Sequence, residues 1–392
     1  MLDVVIVTAD DVEFDSVKKV LMKKFGCKFS PFQIKKSETA TKVPLFGGTS
    51  TQLKFSDNSN SQYNVQVGLF KLLERGGVGV SQFLEAVRVG VKETNQVSKR
   101  GCLVMAGICA GNPDTVQMGS VMTPPSISRE STESDDNTPW ISPDSKIKLK
   151  LDVRAAIGAA HPRNDANEYE WLDKYLPEEY KSTPSPLHLQ DAILDKLNRV
   201  CYKPMSVTEI ADYIVQLHQW SSEGISFCNK MVKETLRTLE KCESVSKITF
   251  RIGEDKYILK SLPNLPQSNP ELPKVKVIDR QMKLEDFARV GSTFDDWTKR
   301  KRNLRLGTGK TTDADEMEGY EFLRFTDKHL DMLNVWFVKV VTSYATEKST
   351  LKYYEEYGSC LATAFLLKVL ETNAELIFAV ENNQHELRLC QQ

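Results

Sequence analysis

The chain has 392 residues, is 40% apolar and 27% charged, and carries a formal net charge of −1. That length accommodates two domains, or one large domain with an insertion, and the near-neutral balance excludes a global field drawing the whole molecule to nucleic acid or an anionic membrane. No apolar run long enough for a membrane span is present, and the opening residues lack the basic start and long apolar core of a secretory leader, so a cytoplasmic protein is expected.

Val4 to Val7 is a short β-branched run, as in a strand buried on both faces. A polar turn through Asp10 and Asp11 follows, and Phe14, Val17, Leu21 and Phe25 then recur at helical spacing. Strand, turn and helix open a parallel α/β domain. Gly76-Gly77-Val78-Gly79 reads as a glycine turn before a second helix marked by Phe83, Val87 and Val91. Cys102 to Ala106 reads as another buried strand, broken by Gly107 and Gly111, and 126–147 as an exposed loop rich in Ser, Thr, Asp and Pro.

From about 185 to 262 the pattern changes. Leu187 to Val200 is amphipathic, Ser206-Val207-Thr208-Glu209 matches a capping box, and a third helix spans about 224–241. Ile248-Thr249-Phe250 and Tyr257-Ile258-Leu259 flank a turn. Three helices and a hairpin give the order of a winged helix, so 185–262 is expected to be a small inserted α+β domain. A proline-rich linker, 263–274, follows it. The α/β pattern resumes with a strand from Val335 to Val341 and a closing helix from Tyr353 to Leu370. The eight cysteines show no CxxC spacing and the five histidines no HExxH pattern. Reduced core thiols are therefore expected, with no metal site and no cofactor.

Four segments in order resemble the purine nucleoside phosphorylase and nucleosidase superfamily. They are the opening strand and turn ending in Glu13, Gly77-Val78-Gly79 with Ala106-Gly107-Ile108-Cys109-Ala110-Gly111, Asp315-Glu316-Met317-Glu318-Gly319-Tyr320, and Val338 through Ala345. The resemblance covers about 1–125 and 285–375. It implies a three-layer α/β domain with a mixed central sheet, discontinuous over 1–150 and 275–392, and commonly a homo-oligomer.

Cleaving an N-glycosidic bond passes through an oxocarbenium-like ribose and needs a group for the ribose hydroxyls, a base for the nucleophile and an acid for the leaving purine. The resemblance assigns Glu318 and Met317 to the ribose and Glu13 to water activation. It places Cys109, Ala110 and Gly111 at the base pocket, where the small residues would let the backbone approach the ligand. Phosphate-binding phosphorylases carry an arginine and a hydroxyl residue where this chain has Met105 and Ile108, so hydrolysis is favoured over phosphorolysis. Ser343 stands where the family has an acidic proton donor. Another group such as Glu347 could supply the proton, the substrate could need no strong acid, or the domain could bind without turnover.

Two basic clusters remain. Arg300 and Arg302, in a run of four cations, could receive nucleotide phosphates. Lys230, Lys233 and Arg237 fall on one face of the third inserted helix and could meet nucleic acid or a protein partner. The resemblance implies an N-glycosidase acting on a purine nucleoside or nucleotide; phosphorylase-like domains with such extra modules resemble immune-type effectors, which extends the expected substrates to ATP. The alternative is a nucleotide-binding pseudoenzyme or regulator acting through the winged helix on a protein or DNA.

Overall fold

The structure is a computed structural model. It describes residues 1–34, 46–56, 62–111, 116, 118–123, 126–129, 146–148, 170–181, 186–200, 203–217, 224–241, 244–249, 255–260, 277–278, 282–284, 314–316, 318–344 and 352–374. In chain order, the first part contains strand β1 (Leu2–Thr8), helix α1 (Asp11–Phe25), β2 (Ser30–Gln33), β3 (Gly47–Ser56), β4 (Gln62–Lys71), α2 (Gly77–Lys92) and β5 (Val97–Gly111). Short strands β6 (Val121–Met122), β7 (Ser126–Arg129) and β8 (Lys146–Lys148) follow, then short helices α3 (Glu170–Tyr175) and α4 (Glu178–Lys181).

Next come α5 (Pro186–Arg199), β9 (Met205–Ser206), α6 (Val207–Leu217), α7 (Gly224–Lys241), β10 (Val245–Thr249) and β11 (Asp255–Leu259). The chain closes with β12 (Val277–Ile278), β13 (Met282–Leu284), β14 (Ala314–Glu316), α8 (Gly319–His329), β15 (Asn334–Tyr344) and α9 (Lys352–Thr372).

β4, β1, β5 and β15 lie side by side, and each adjacent pair is parallel. Their buried stretches, such as Val4 to Val7, Cys102 to Ala106 and Val335 to Val338, are apolar because helices cover both faces. Antiparallel pairings of β3 with β4 and of β14 with β5 make the sheet mixed. α1 packs with α9, and α2 with α8, so the sheet sits between two helical layers. The core runs from Val4, Val5, Ile6 and Val7 through Leu103 and Val104 to Phe337 and Val338, and α9 is buried along most of its length. Parallel strands put their carboxyl ends along one edge, where open α/β sheets form their ligand crevice.

Two elements depart from the sequence reading. The strand expected to break at Gly107 continues to Gly111, because β15 supplies a parallel partner along its whole second half. Of the glycine turn expected at 76–79, Gly77-Val78-Gly79 instead make the first turn of α2, and Gly76 at φ 85° is that helix's N-cap. Only a residue tolerant of positive φ enters a helix that way. The hairpin of β3 and β4 had no counterpart in the sequence reading.

Between α4 and β12 the chain forms α5, α6 and α7 with a separate antiparallel sheet in the order β10, β11, β9. Its capping box is reciprocal: the Ser206 N–H donates to Glu209 Oε2 at 2.7 Å, and the Glu209 N–H to Ser206 Oγ at 3.2 Å. α7 meets the α/β body through a buried hydrogen bond between the Thr235 and Tyr354 hydroxyls, 2.7 Å apart. Tyr175 donates to Glu371 at 2.6 Å and Lys19 pairs with Glu179 at 2.6 Å, which fastens α3 to α9 and α4 to α1. Among the described residues no helix is long and apolar enough to cross a membrane, and Cys27, Cys102, Cys109, Cys228 and Cys360 are free thiols.

Candidate functional site

β1 stops pairing with β5 after the Val7–Met105 register, which leaves the Ile108 N–H on that edge to find an acceptor elsewhere. Glu13, in the first turn of α1, supplies it. Its carboxylate accepts from the Ile108 N–H at 2.8 Å on Oε1 and from the Ala9 N–H at 2.6 Å on Oε2. Asp10 caps the same helix by accepting from the Glu13 N–H at 2.9 Å, and its other oxygen pairs with Arg75. Asp11 points outward to Lys71, 2.5 Å away. Of the three acids at this strand end, Glu13 is the one turned inward. It is 2% exposed.

Lys339 sits in register with Gly107 on the neighbouring strand, so the two residues share a sheet face. A Cβ at Gly107 would stand 2.0 Å from Glu13 Oε1, so the carboxylate occupies the space this glycine leaves, on the face Lys339 reaches. The ammonium of Lys339 lies 3.6 Å from Glu13 Oε1 and 3.8 Å from Glu318 Oε2, and the lysine is 1% exposed. Glu318 stands at the start of α8 but makes no side-chain capping bond there. Its Oε1 instead accepts from the Gly76 N–H at 3.1 Å. Two glutamates remote in sequence thus converge on one buried cation, at the carboxyl ends of β1, β4 and β5.

Burial pushes the Glu13 carboxyl above its usual value of 4.5; the charge of Lys339 opposes this, Asp10 reinforces it, the Ile108 amide opposes it and Glu318 reinforces it. The group favours folding in its protonated form. Its contribution to stability is complete below pH 4.5 and is lost as pH rises through the elevated folded value. Wild-type protein should therefore lose stability relative to Glu13→Gln over that interval and show a constant difference above it, as read from urea midpoints at stepped pH.

Ser343 is half-buried on β15, opposite Ala110. The pairing slips register between Val341 and Ser343, so Thr342 is an extra residue at this point, and such bulges re-aim the side chains beside them. Cys109 is buried and Ala110 half-buried on the strand that passes the site. Gly111 serves packing: a Cβ there would meet Val341 Cγ1 at 2.6 Å and Val116 Cγ2 at 2.7 Å, so core side chains fill the space that was expected to admit a ligand.

Met317, Arg300, Arg302 and Glu347 lie outside the described residues. Lys230, Lys233 and Arg237 are exposed on one face of α7, with Arg237 donating to Glu234 at 2.7 Å. Among the described residues no group of three or more His, Cys, Asp or Glu is placed to hold a metal ion.

The sequence reading missed Lys339 and Gly107. A lysine between Val338 and Val340 in a run otherwise apolar from Val335 to Val341 is the signal for the first, because a charge buried in a strand needs a counter-charge.

No family model and no curated protein matches the chain. Among solved structures it is similar to a 5'-methylthioadenosine/S-adenosylhomocysteine nucleosidase from Helicobacter pylori, with 10% identity, TM-score 0.45, and coverage of 94% of this chain and 98% of that one. The futalosine hydrolase of Helicobacter pylori gives 10% identity, TM-score 0.45 and coverage of 94% and 97%. A methylthioadenosine/S-adenosylhomocysteine nucleosidase from Colwellia psychrerythraea, in complex with adenine, gives 11%, 0.47, 95% and 95%. The likeness is one of distant architecture.

Proposed function

We propose that this protein hydrolyses the N-glycosidic bond of a purine nucleoside or nucleotide. The observation that carries the reading is the convergence of Glu13 and Glu318 on the buried ammonium of Lys339. In this reading Glu318 accepts hydrogen bonds from the ribose hydroxyls while Glu13 takes a proton from the attacking water. Lys339 lies beyond direct hydrogen-bond length from either carboxylate. A water oxygen between these groups would join them through charge-assisted contacts. Water then adds to the anomeric carbon as the bond to the purine nitrogen breaks, the water proton passes to Glu13, and the departing purine nitrogen takes up a proton from solvent. Glu13 must be ionised to act, so activity should rise with pH through its elevated value.

The hydroxyl of Ser343 can donate a hydrogen bond to a purine nitrogen but is a poor acid near neutral pH. Incubation with adenosine, AMP, ATP and guanosine, followed by chromatography for free base, tests the reading. Ser343→Asp is expected to raise the rate at least about tenfold by supplying a proton donor. Absence of free base from all four substrates with both proteins would overturn it.

A second reading is favoured by Ser343 together with the exposed Lys230, Lys233 and Arg237: a nucleotide sensor that signals to a protein or nucleic-acid partner through the inserted module. It predicts ligand-dependent thermal stabilisation without turnover.

A further inference from the structure

Helix α9 approaches the central strands closely at one residue. A Cβ at Gly358 would stand 2.3 Å from Thr342 Cγ2, 3.2 Å from Ile108 Cγ2 and 3.3 Å from Val340 Cγ1. Gly358 does not adopt a positive φ, so the requirement is for space. Glycine is less favourable than alanine inside a helix, and here it lets the helix axis settle directly against the sheet.

Two of the three residues beneath it are not ordinary core positions. Thr342 is the bulged residue that aims Ser343, and Ile108 carries the N–H that holds Glu13 Oε1 at 2.8 Å. Side chains alternate along β5, so Ile108 faces α9 while Gly107 faces the site. Pressure from α9 therefore fixes the height of the Ile108 peptide from behind, and the carboxylate in front follows that peptide.

We infer that Gly358 is a positioning residue for Glu13, acting through Ile108 and the Thr342 bulge. Any larger residue at 358 lifts α9 or displaces Thr342, and the Ile108 N–H turns away from Glu13. The catalytic consequence rests on the nucleosidase reading, whereas the positional one does not.

The test pairs Gly358→Ala with Gly358→Ala/Thr342→Ser, which removes the methyl carbon that the new Cβ would strike and keeps the hydroxyl. Two quantities are read in each folded protein: the amide proton shift of Ile108 as a function of pH, and kcat/KM for the best substrate with its pH profile. In wild-type protein the amide follows the titration of Glu13. Gly358→Ala should weaken that response, move the acid limb of the rate profile and lower kcat/KM about tenfold or more, mainly through kcat. The double variant should return all three close to wild type.

An Ile108 amide that titrates identically in wild type and Gly358→Ala would overturn the inference, as would a double variant no better than the single one. If the amide behaves as stated but no form releases base, the nucleosidase reading falls and the positional inference stands. If base is released but the amide does not respond, the reverse holds.

Discussion

Lys339→Met should lower stability at neutral pH by about 3–5 kcal/mol, the usual cost of leaving a buried charge without its partner. The lysine is almost fully buried and lies within ion-pair distance of both Glu13 and Glu318, so solvent cannot replace its charge. Without it, the factor that most strongly opposes protonation of Glu13 is removed. The variant should therefore regain much of its stability on acidification, as the carboxyls take up protons, and urea titrations at neutral and mildly acidic pH measure this directly. Turnover should fall by about a hundredfold or more, because the water loses an orienting cation and the base is held protonated. Lys339→Arg should retain more of both properties. Equal stability of Lys339→Met and wild type across pH would show that the lysine is not the shared counter-ion.

Gly107→Ala is expected to be nearly as damaging, although it adds one methyl group. The new carbon would lie 2.0 Å from Glu13 Oε1, 2.4 Å from Cδ and 2.7 Å from Oε2, so the whole carboxylate must leave its place. The hydrogen bonds from the Ala9 and Ile108 amides go with it. Each bond to a charged group contributes about 1.5–3 kcal/mol, so losing one without replacement already exceeds the effect of most surface substitutions. The signature is non-additivity: in a Glu13→Ala background the methyl meets no carboxylate, and Gly107→Ala should then cost little. Thermal unfolding of the four proteins completes the cycle. Additive losses would mean that the glycine serves β5 alone.

These two residues also show where the sequence stops being readable. Val4 to Val7, the α1 apolar spacing and the capping box at Ser206 follow local rules, and each appears where those rules place it. Glu13 and Glu318 were singled out through the resemblance of four ordered segments, because a glutamate in the first turn of a helix is by itself commonplace. Lys339 could not be assigned a role from its neighbours, since its partners come from two distant elements. Gly107 looked like a strand breaker because its purpose is another residue's carboxylate, and only the approach of α1 reveals it. Gly111 misled in the opposite direction: its missing side chain makes room for Val341 and Val116. The β3–β4 hairpin was readable and was passed over: Leu53-Lys54-Phe55 and Tyr63-Asn64-Val65-Gln66-Val67-Gly68-Leu69 alternate apolar with polar or small residues, the period-two mark of strands.

The site also constrains the order in which the chain can assemble. The Gly76–Glu318 contact alone joins residues 242 apart in sequence, and Lys339 belongs to the last of the described strands to emerge during synthesis. β1, β4 and β5 can pair early and offer Glu13 its two amides, yet its charge then has no counter-ion. Sealing that carboxylate away from water must wait for β15, so closure of the site is a late event, slowed by the long stretch of chain that separates β5 from β15.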